Sequence, residues 1–433
     1  MAADIVGAES GGPAGSEPAP RRDSQLDREQ VRVAAARFLQ ISDLHLGAPF
    51  GWLAPERRAE RRREQQRALE DAVAEAIHRR VEGILIAGDL FDREGVDAQT
   101  LAFAVHVFEA PGCPPVLIAP GNHDPWSLTS PYWNARLLGA RGWSWPEHVH
   151  VFTSARWSAR RLAGSPVEVW GRSFTTGIPS AERPLDPAML GDASRENGSA
   201  LRVAVFHGSR EGFLPPGQVT AGPFSDEEAR RSPFVYLAAG HYHLRSRLDH
   251  AGGVRLAYAG SAIAIASDEL GAHGALEVRI DRDRVETEFV ELDRRRVHEL
   301  SVDVSGAASE DQVDRRIFGA LDGAGVRECD LATVRLQGRL SRGVRWGRPG
   351  AELAARLFHL RVDPRAVRPD HDLESLRRGS GLTTEERFAR ALLERIQSED
   401  DPDQRAVIES ALYYGLDALR LREVTPGYEE LGE

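Results

Sequence analysis

Five short clusters concentrate the residue types that bind divalent metal ions and move protons. They are Asp43-Leu44-His45, Gly88-Asp89 with Asp92 close behind, Gly121-Asn122-His123-Asp124, Phe206-His207-Gly208 and Gly240-His241-Tyr242-His243. Carboxylate, amide and imidazole donors in this mixture suit a pair of borderline-hard ions such as Mn²⁺, Fe²⁺ or Zn²⁺. Two such ions roughly 3.5–4 Å apart activate a water and stabilise both oxygens of an in-line displacement at phosphorus. Asp43 and His45 alternate with one residue between them, as do His241 and His243, so extended backbone would put each pair on one face. Asp89, at a Gly-Asp turn, is suited to bridge the two ions. Each cluster alone means little, because Gly and Asn favour turns in any protein. The weight lies in the ordered set.

Something must aim these groups at one place. Each cluster closely follows an apolar, strand-like run, at 38–41, 84–87, 116–119, 203–206 and 235–239. In α/β sheets, functional groups gather in the crevice beyond the carboxyl ends of strands. From Arg37 to about Ile280, short apolar runs alternate with amphipathic stretches, which predicts a layered α/β domain. The spacing of Leu69, Val73, Ala76 and Ile77 predicts a helix over 55–80, with Pro55 in its first turn. Six arginines, at 57, 58, 61, 62, 63 and 67, fall in its N-terminal half. A solvated helix face is the expectation for them, with a track for phosphates as the alternative.

A second unit begins near Arg294. A strand at 297–304 and a helix around 312–321 are followed by a short strand at 333–336 and a helix around 352–360. Thr383 and Glu386 fit a capping box opening a helix that runs to about Gln397, and a last helix covers roughly 404–419. The expected organisation is a tail at 1–33, an α/β domain at 34–293, an α+β capping domain at 294–380 and a helical C-terminal region at 381–433. Between Arg335 and Arg378 there are 11 arginines against five acids. A basic patch of this kind is compatible with contact to backbone phosphates, and equally with a solvated surface.

Composition narrows the class. The chain has 433 residues, 28% charged and 41% hydrophobic, and no apolar run approaches the roughly 20 residues that span a bilayer. The first 30 residues lack an apolar centre, and there are only two cysteines, Cys113 and Cys329. No disulfide framework or thiolate zinc site is implied, and a cytoplasmic location without membrane contact is expected. The net charge of −11 argues against a protein that merely coats nucleic acid. All 55 basic residues are Arg, which fits coding bias and points to no particular site.

The order of clusters resembles the calcineurin-like metallophosphoesterase superfamily over roughly residues 37–265. That resemblance implies a β-sandwich flanked by helices. Three details further resemble the SbcD-type nucleases of DNA double-strand-break repair: Ser42-Asp43-Leu44-His45-Leu46-Gly47, Gly88-Asp89-Leu90-Phe91-Asp92 and Tyr258-Ala259-Gly260-Ser261. The resemblance implies that Asp43, His45, Asp89 and His243 hold one metal, and that Asp89, Asn122, His207 and His241 hold the other. His123 matches the family's acid, a role imidazole suits near neutral pH. Asp92 is expected to orient His123, while Tyr258 and Ser261 are candidates for substrate contact. Asp124 is either a partner of a ligand imidazole or a turn residue. Trp126, Trp133, Trp143 and Trp145 are expected to pack in a core or lid, with base stacking as the alternative. Mn²⁺-dependent hydrolysis of DNA phosphodiesters is then the expected activity, with an SbcC-type ATPase partner and a homodimer as the family's usual assembly. A small-molecule phosphodiesterase or phosphomonoesterase on the same metals is the alternative, and a non-catalytic scaffold is a third reading.

Overall fold

The computed structural model describes residues 36–133, 144–177, 181–194, 201–213, 219–250, 253–281, 284–341 and 343–421. The expected tail at 1–33 and Trp143 lie outside the described residues.

The runs that precede the five clusters are strands, as their β-branched and aromatic content predicts. β1 (Ala36–Ile41), β2 (Gly83–Ile86), β3 (Val116–Ile118) and β4 (Val149–Val151) pair in parallel in that order. Parallel neighbours need crossovers, supplied by α1 (Pro55–His78) and α2 (Ala98–Phe108). After β5 (Ser158–Arg161), the second half of the sheet runs β6 (Val167–Gly171), β7 (Leu201–His207), β8 (Tyr236–Gly240) and, past β9 (Ser246–His250), β10 (Gly253–Tyr258). β11 (Gly274–Ile280) and β12 (Val285–Glu291) close the path, with β11 antiparallel to β1 and β12 touching β10 at Val285 and Gly253.

Side-chain alternation shows how this large sheet curls. Phe38 of β1, Leu85 of β2 and Leu117 of β3 share one apolar cluster with Val203 and Val205 of β7 and Tyr236 of β8. Their neighbours Leu39, Ile41, Ile84, Ile86 and Ile118 face the other way and pack with Leu69 and Val73 of α1 and Leu101 of α2. β1, β2 and β3 are therefore buried on both faces, as parallel strands covered by helices must be. Gln40 is the polar exception in the inner layer. Its amide nitrogen donates to the carbonyls of Ala239 and Ala257, and Tyr236 donates its hydroxyl hydrogen to the amide oxygen at 2.5 Å. A buried amide so fully paired fixes the register between the two halves.

A separate three-stranded sheet follows β12. β13 (Val297–Asp303), β14 (Leu331–Leu340) and β15 (His359–Pro369) form one parallel sheet. The helices α3 (Glu310–Gly323) and α4 (Ala351–Ala355) connect them, and Val313, Ile317 and Leu321 bury against the sheet. The expectation of a helix through 360 is corrected: α4 stops at Ala355, and 359–369 is a strand. Leu360, Val362 and Val367 belong to a sheet face rather than a helical stripe. Three helices follow, α5 (Leu373–Arg378), α6 (Thr384–Ser398) and α7 (Pro402–Leu421). The capping box of Thr383 and Glu386 is present as expected.

Candidate metal centre

β1, β2, β3, β7 and β8 all end at one edge of the curled sheet, and the five clusters follow them directly. The turn that places these ligands is a strained one. Six non-glycine residues among those described have positive φ, and four of them are Asp43 (50°), His45 (50°), Asp89 (50°) and His241 (113°). The expectation of extended backbone sharing a face is therefore corrected for these residues. The left-handed region costs roughly 1–2 kcal/mol per residue, and such strain collects where side chains must be aimed at a common point. Two glycines make room. A Cβ on Gly88, itself at φ +88°, would lie 2.3 Å from His207 Nδ1, and one on Gly240 would lie 1.8 Å from the carbonyl of Ala87.

The side chains converge on Asp89. Its Oδ1 accepts the backbone N–H of His123 at 2.9 Å, leaving Oδ2 directed into the site. Oδ2 lies 3.2 Å from His207 Nε2 and 3.8 Å from His45 Nε2. On the first side, His45 Nε2 and His243 Nε2 are 3.2 Å apart, with Asp43 in the same group. On the second, His207 Nε2 lies 3.1 Å from Asn122 Oδ1 and 3.3 Å from His241 Nδ1. The structure thus brings all seven expected ligand positions together around Asp89.

Hydrogen bonding fixes which nitrogens are free. A carbonyl only accepts, so His207 Nδ1 donates to Ala87 O at 2.9 Å and His241 Nε2 donates to Val219 O at 3.0 Å. His243 Nδ1 is held by Glu269 Oε1 at 2.7 Å. The lone pairs of His207 Nε2, His241 Nδ1 and His243 Nε2 are left pointing at one another and at carboxylates. Donors around one ion at bond lengths of about 2.0–2.2 Å are spaced roughly 3–3.5 Å apart, which is the spacing here. These residues fit a pair of divalent ions.

Without a cation the site recruits protons. Burial works against charge on His207, but Asp89 raises its pKa to about 9. Burial likewise opposes charge on His243, and Glu269 raises it to about 9. Asp89 itself, though burial opposes its ionisation, is held far below the usual carboxylate range by His207 and His45. His241, buried beside the charged His207, falls to about 4.

His123 stands at the rim of this group, exposed, with a ring nitrogen among the ligand atoms of His45 and Asp89. Its Nδ1 donates at 2.9 Å to the backbone carbonyl of Asp92, not to the carboxylate. The expected side-chain dyad is thereby corrected. The Asp92 carboxylate instead lies 3.5 Å from Nδ1 of His45.

Asp124 partners no ligand imidazole; it closes its own turn and reaches a second one. It is fully buried and accepts the backbone N–H groups of Asp89 (3.2 Å), Phe91 (3.1 Å) and Gly121 (2.8 Å), and the Tyr132 hydroxyl at 2.5 Å. It therefore ties the Asp89 turn to the Asn122 turn. Tyr258 and Ser261 do not face the site. Tyr258 is wholly buried, its hydroxyl donating to Gly208 O and accepting from Arg210 N, so it holds the loop behind His207. Ser261 is also buried, with Oγ 2.8 Å from Glu269 Oε2 and 2.9 Å from His273 Nδ1. Glu269 was missed by sequence reasoning, and so was the place of His273 beside it. Neither stands in a motif. Trp145 packs against Phe91, Phe108 and Tyr132, as expected, while Trp126 meets a half-exposed Trp133 at an interplanar angle of 54°.

Beside the second ligand set, a cavity of about 60 Å³ is lined by Arg172, Ser173, Phe174, Glu182, His207 and Gly222, among others. Arg172 Nη2 bonds Glu182 at 2.7 Å, whereas Arg172 Nη1 and Ser173 Oγ are buried without a partner among the described residues.

Residues 36–245 match the Calcineurin-like phosphoesterase family. That family uses a dinuclear divalent metal site, and the match spans all seven candidate ligand positions. The chain is 28% identical over 293 residues to the uncharacterized metallophosphoesterase YhaO of Bacillus subtilis, covering 62% of this chain and 64% of that protein. It thus spans just under two thirds of that relative's length. Among solved structures, TT1561 of Thermus thermophilus matches at 12% identity over 60% of this chain and 100% of its own, with a TM-score of 0.35. A dimetal phosphatase from Danio rerio matches at 13% identity over 59% of this chain and 99% of its own, with a TM-score of 0.34. Among the described residues, no helix is long and apolar enough to cross a membrane.

Proposed function

We propose that this chain hydrolyses DNA phosphodiester bonds with two divalent ions, most suitably Mn²⁺, as a repair-type exonuclease. The observation that carries the phosphoester chemistry is the shared Asp89 Oδ2, 3.2 Å from His207 and 3.8 Å from His45, with His123 alongside. Two ions held by the seven ligands would polarise the phosphoryl group and make water nucleophilic near neutral pH. The chain's own contribution is orientation and proton transfer. The Asp92 carbonyl holds the Nδ1 hydrogen of His123, so Nε2 is the nitrogen that delivers a proton to the leaving oxygen. Support for DNA comes from the Ser-Asp-Leu-His-Leu-Gly, Gly-Asp-Leu-Phe-Asp and Tyr-Ala-Gly-Ser matches. The Trp126–Trp133 pair shortly after His123 adds a surface on which a base can stack. A dimer and an SbcC-type ATPase partner belong to the same reading.

One observation favours the small-molecule alternative. Much of the expected basic patch is engaged within the chain: Arg335 with Glu299, Arg339 with Asp417, Arg356 with Asp322, Arg365 with Asp363 and Arg378 with Glu374. The deciding assay uses Mn²⁺ with end-labelled linear duplex DNA beside bis-p-nitrophenyl phosphate, with His123→Ala as control. Loss of DNA that stops with EDTA and in the variant is the expected result. Cleavage of the small diester alone overturns the DNA assignment and leaves the metal centre standing.

A further inference from the structure

Glu269 is a buried carboxylate whose acceptor capacity is fully used. Oε1 takes His243 Nδ1 at 2.7 Å and the N–H of Ala266 at 3.2 Å, while Oε2 takes Ser261 Oγ at 2.8 Å and the N–H of Ile265 at 2.9 Å. Two carboxylate oxygens offer about four lone-pair sites, so this group has one orientation. Three of its four partners come from the six-residue stretch that opens at Ser261, the residue closing the Tyr-Ala-Gly-Ser loop.

That stretch is in turn fastened to the junction with the second domain. Ala264 donates its N–H to Asp293 Oδ2 at 3.0 Å, and its carbonyl accepts Arg61 Nη2 at 3.0 Å. Arg61 pairs with Asp293 and Glu64, and Glu64 with Arg295. Arg295 reaches into the second domain, lying 3.4 Å over the Phe358 ring and donating to Cys329 O at 2.7 Å. On the far side of Glu269, Gly271 pairs with Val297 of β13 through bonds of 2.8 and 3.2 Å. Leu292 and Asp293 both donate to His273 O.

We infer that Glu269 is a positioning residue for His243, and that through it the seating of the second domain sets how tightly the first ligand set holds its ion. This rests on the metal-centre reading above. Partners that orient a ligating imidazole typically carry a factor of about 10–100 in metal affinity. Glu269 is placed to carry it for the Asp43, His45, Asp89 and His243 set alone, because His207 and His241 are oriented by the carbonyls of Ala87 and Val219 instead. Glu269→Gln puts an NH₂ group where donors already point. Arg295→Met breaks the junction at a distance from every ligand.

The test is Mn²⁺ titration of the full chain followed by calorimetry and by electron paramagnetic resonance. Wild type should bind two ions per chain and show the signal of an exchange-coupled pair. Glu269→Gln should keep one ion tightly and lose affinity for the other by about 10–100-fold, leaving the signal of an isolated ion. Ser261→Ala, which removes one of the four bonds, should weaken the same ion less and covers the case in which Glu269→Gln fails to fold. Arg295→Met should weaken that ion too, and the exposed Arg62→Ala should not. Two tight ions in Glu269→Gln or in Ser261→Ala overturn the positioning role. Two tight ions in Arg295→Met overturn the coupling to the junction. A wild-type chain that takes up no Mn²⁺ overturns the metal-centre reading itself, and this inference with it.

Discussion

Arg61 and Asp293, 232 residues apart in sequence, meet in a two-point ion pair, with Nη1–Oδ1 at 2.8 Å and Nη2–Oδ2 at 2.5 Å. The guanidinium is wholly buried. Removing one partner of a buried pair strands the other charge and typically costs about 3–5 kcal/mol. Arg61→Ala should therefore lower the urea midpoint sharply, while Arg62→Ala, on the solvated side, should stay within about 0.5 kcal/mol of wild type. Equal midpoints would mean that the pair does not secure the junction.

The same residue marks where sequence reasoning stopped. The arginine cluster of α1 was legible as a cluster, but not as a docking surface. Helical periodicity assigns a face only when its residues are apolar, and a buried Arg looks solvated until its acid is found far away. Arg57, bonded to Leu357 O, and Arg58, bonded to the carbonyls of Leu53 and Gly51, are further departures from a free face. The strand-end motifs were legible because each sits within a few residues of an apolar run. Glu269 was not, since its partners His243 and Ser261 are distant or reach it by a loop without periodicity. The roles of Tyr258 and Ser261 turned on which way each side chain points, and spacing cannot supply that. β15 was missed because Pro364 and three arginines interrupt its alternation.

Asp124 offers a test of how the ligand turns are held. Its carboxylate joins the N–H groups of Asp89, Phe91 and Gly121, so Asp124→Asn leaves an NH₂ group facing at least one of them. Metal affinity should fall by about 10–100-fold. Tyr132→Phe, which removes only the hydroxyl at 2.5 Å, should have a smaller effect. Metal content after dialysis against graded chelator reads both. Unchanged content in Asp124→Asn would mean that the turns hold themselves.

Metal uptake should release protons. His207 and His243 are held near pKa 9 without a cation, so both carry a proton at pH 7, and a ligand imidazole must lose it. Apparent affinity should climb between pH 7 and 9 and level off above. Stability of the metal-free chain should move the opposite way. A folded pKa above the unfolded value of about 6.5 adds stability that is complete below that pH and is lost as pH rises through about 9. Melting curves in EDTA should thus fall over this window, whereas those in Mn²⁺ should rise. Parallel curves would mean that protons do not stand in for the ions.

Arg172 separates a fold role from a ligand role by the sign of its effect. A buried guanidinium nitrogen without an acceptor costs the fold free energy, and burial lowers the Arg172 pKa despite Glu182. Arg172→Met fills similar space without that donor. If Arg172 served packing alone, the variant would leave substrate kinetics unchanged. The unpartnered Nη1 and Ser173 Oγ line a cavity shared with His207, which predicts instead that they donate to an oxygen of the substrate. Arg172→Met should then melt no lower than wild type, bind two Mn²⁺ and raise KM by about tenfold with little change in kcat, the pattern of lost uniform binding. A lower melting temperature with unchanged KM would assign Arg172 to the fold, with Glu182 as its reason.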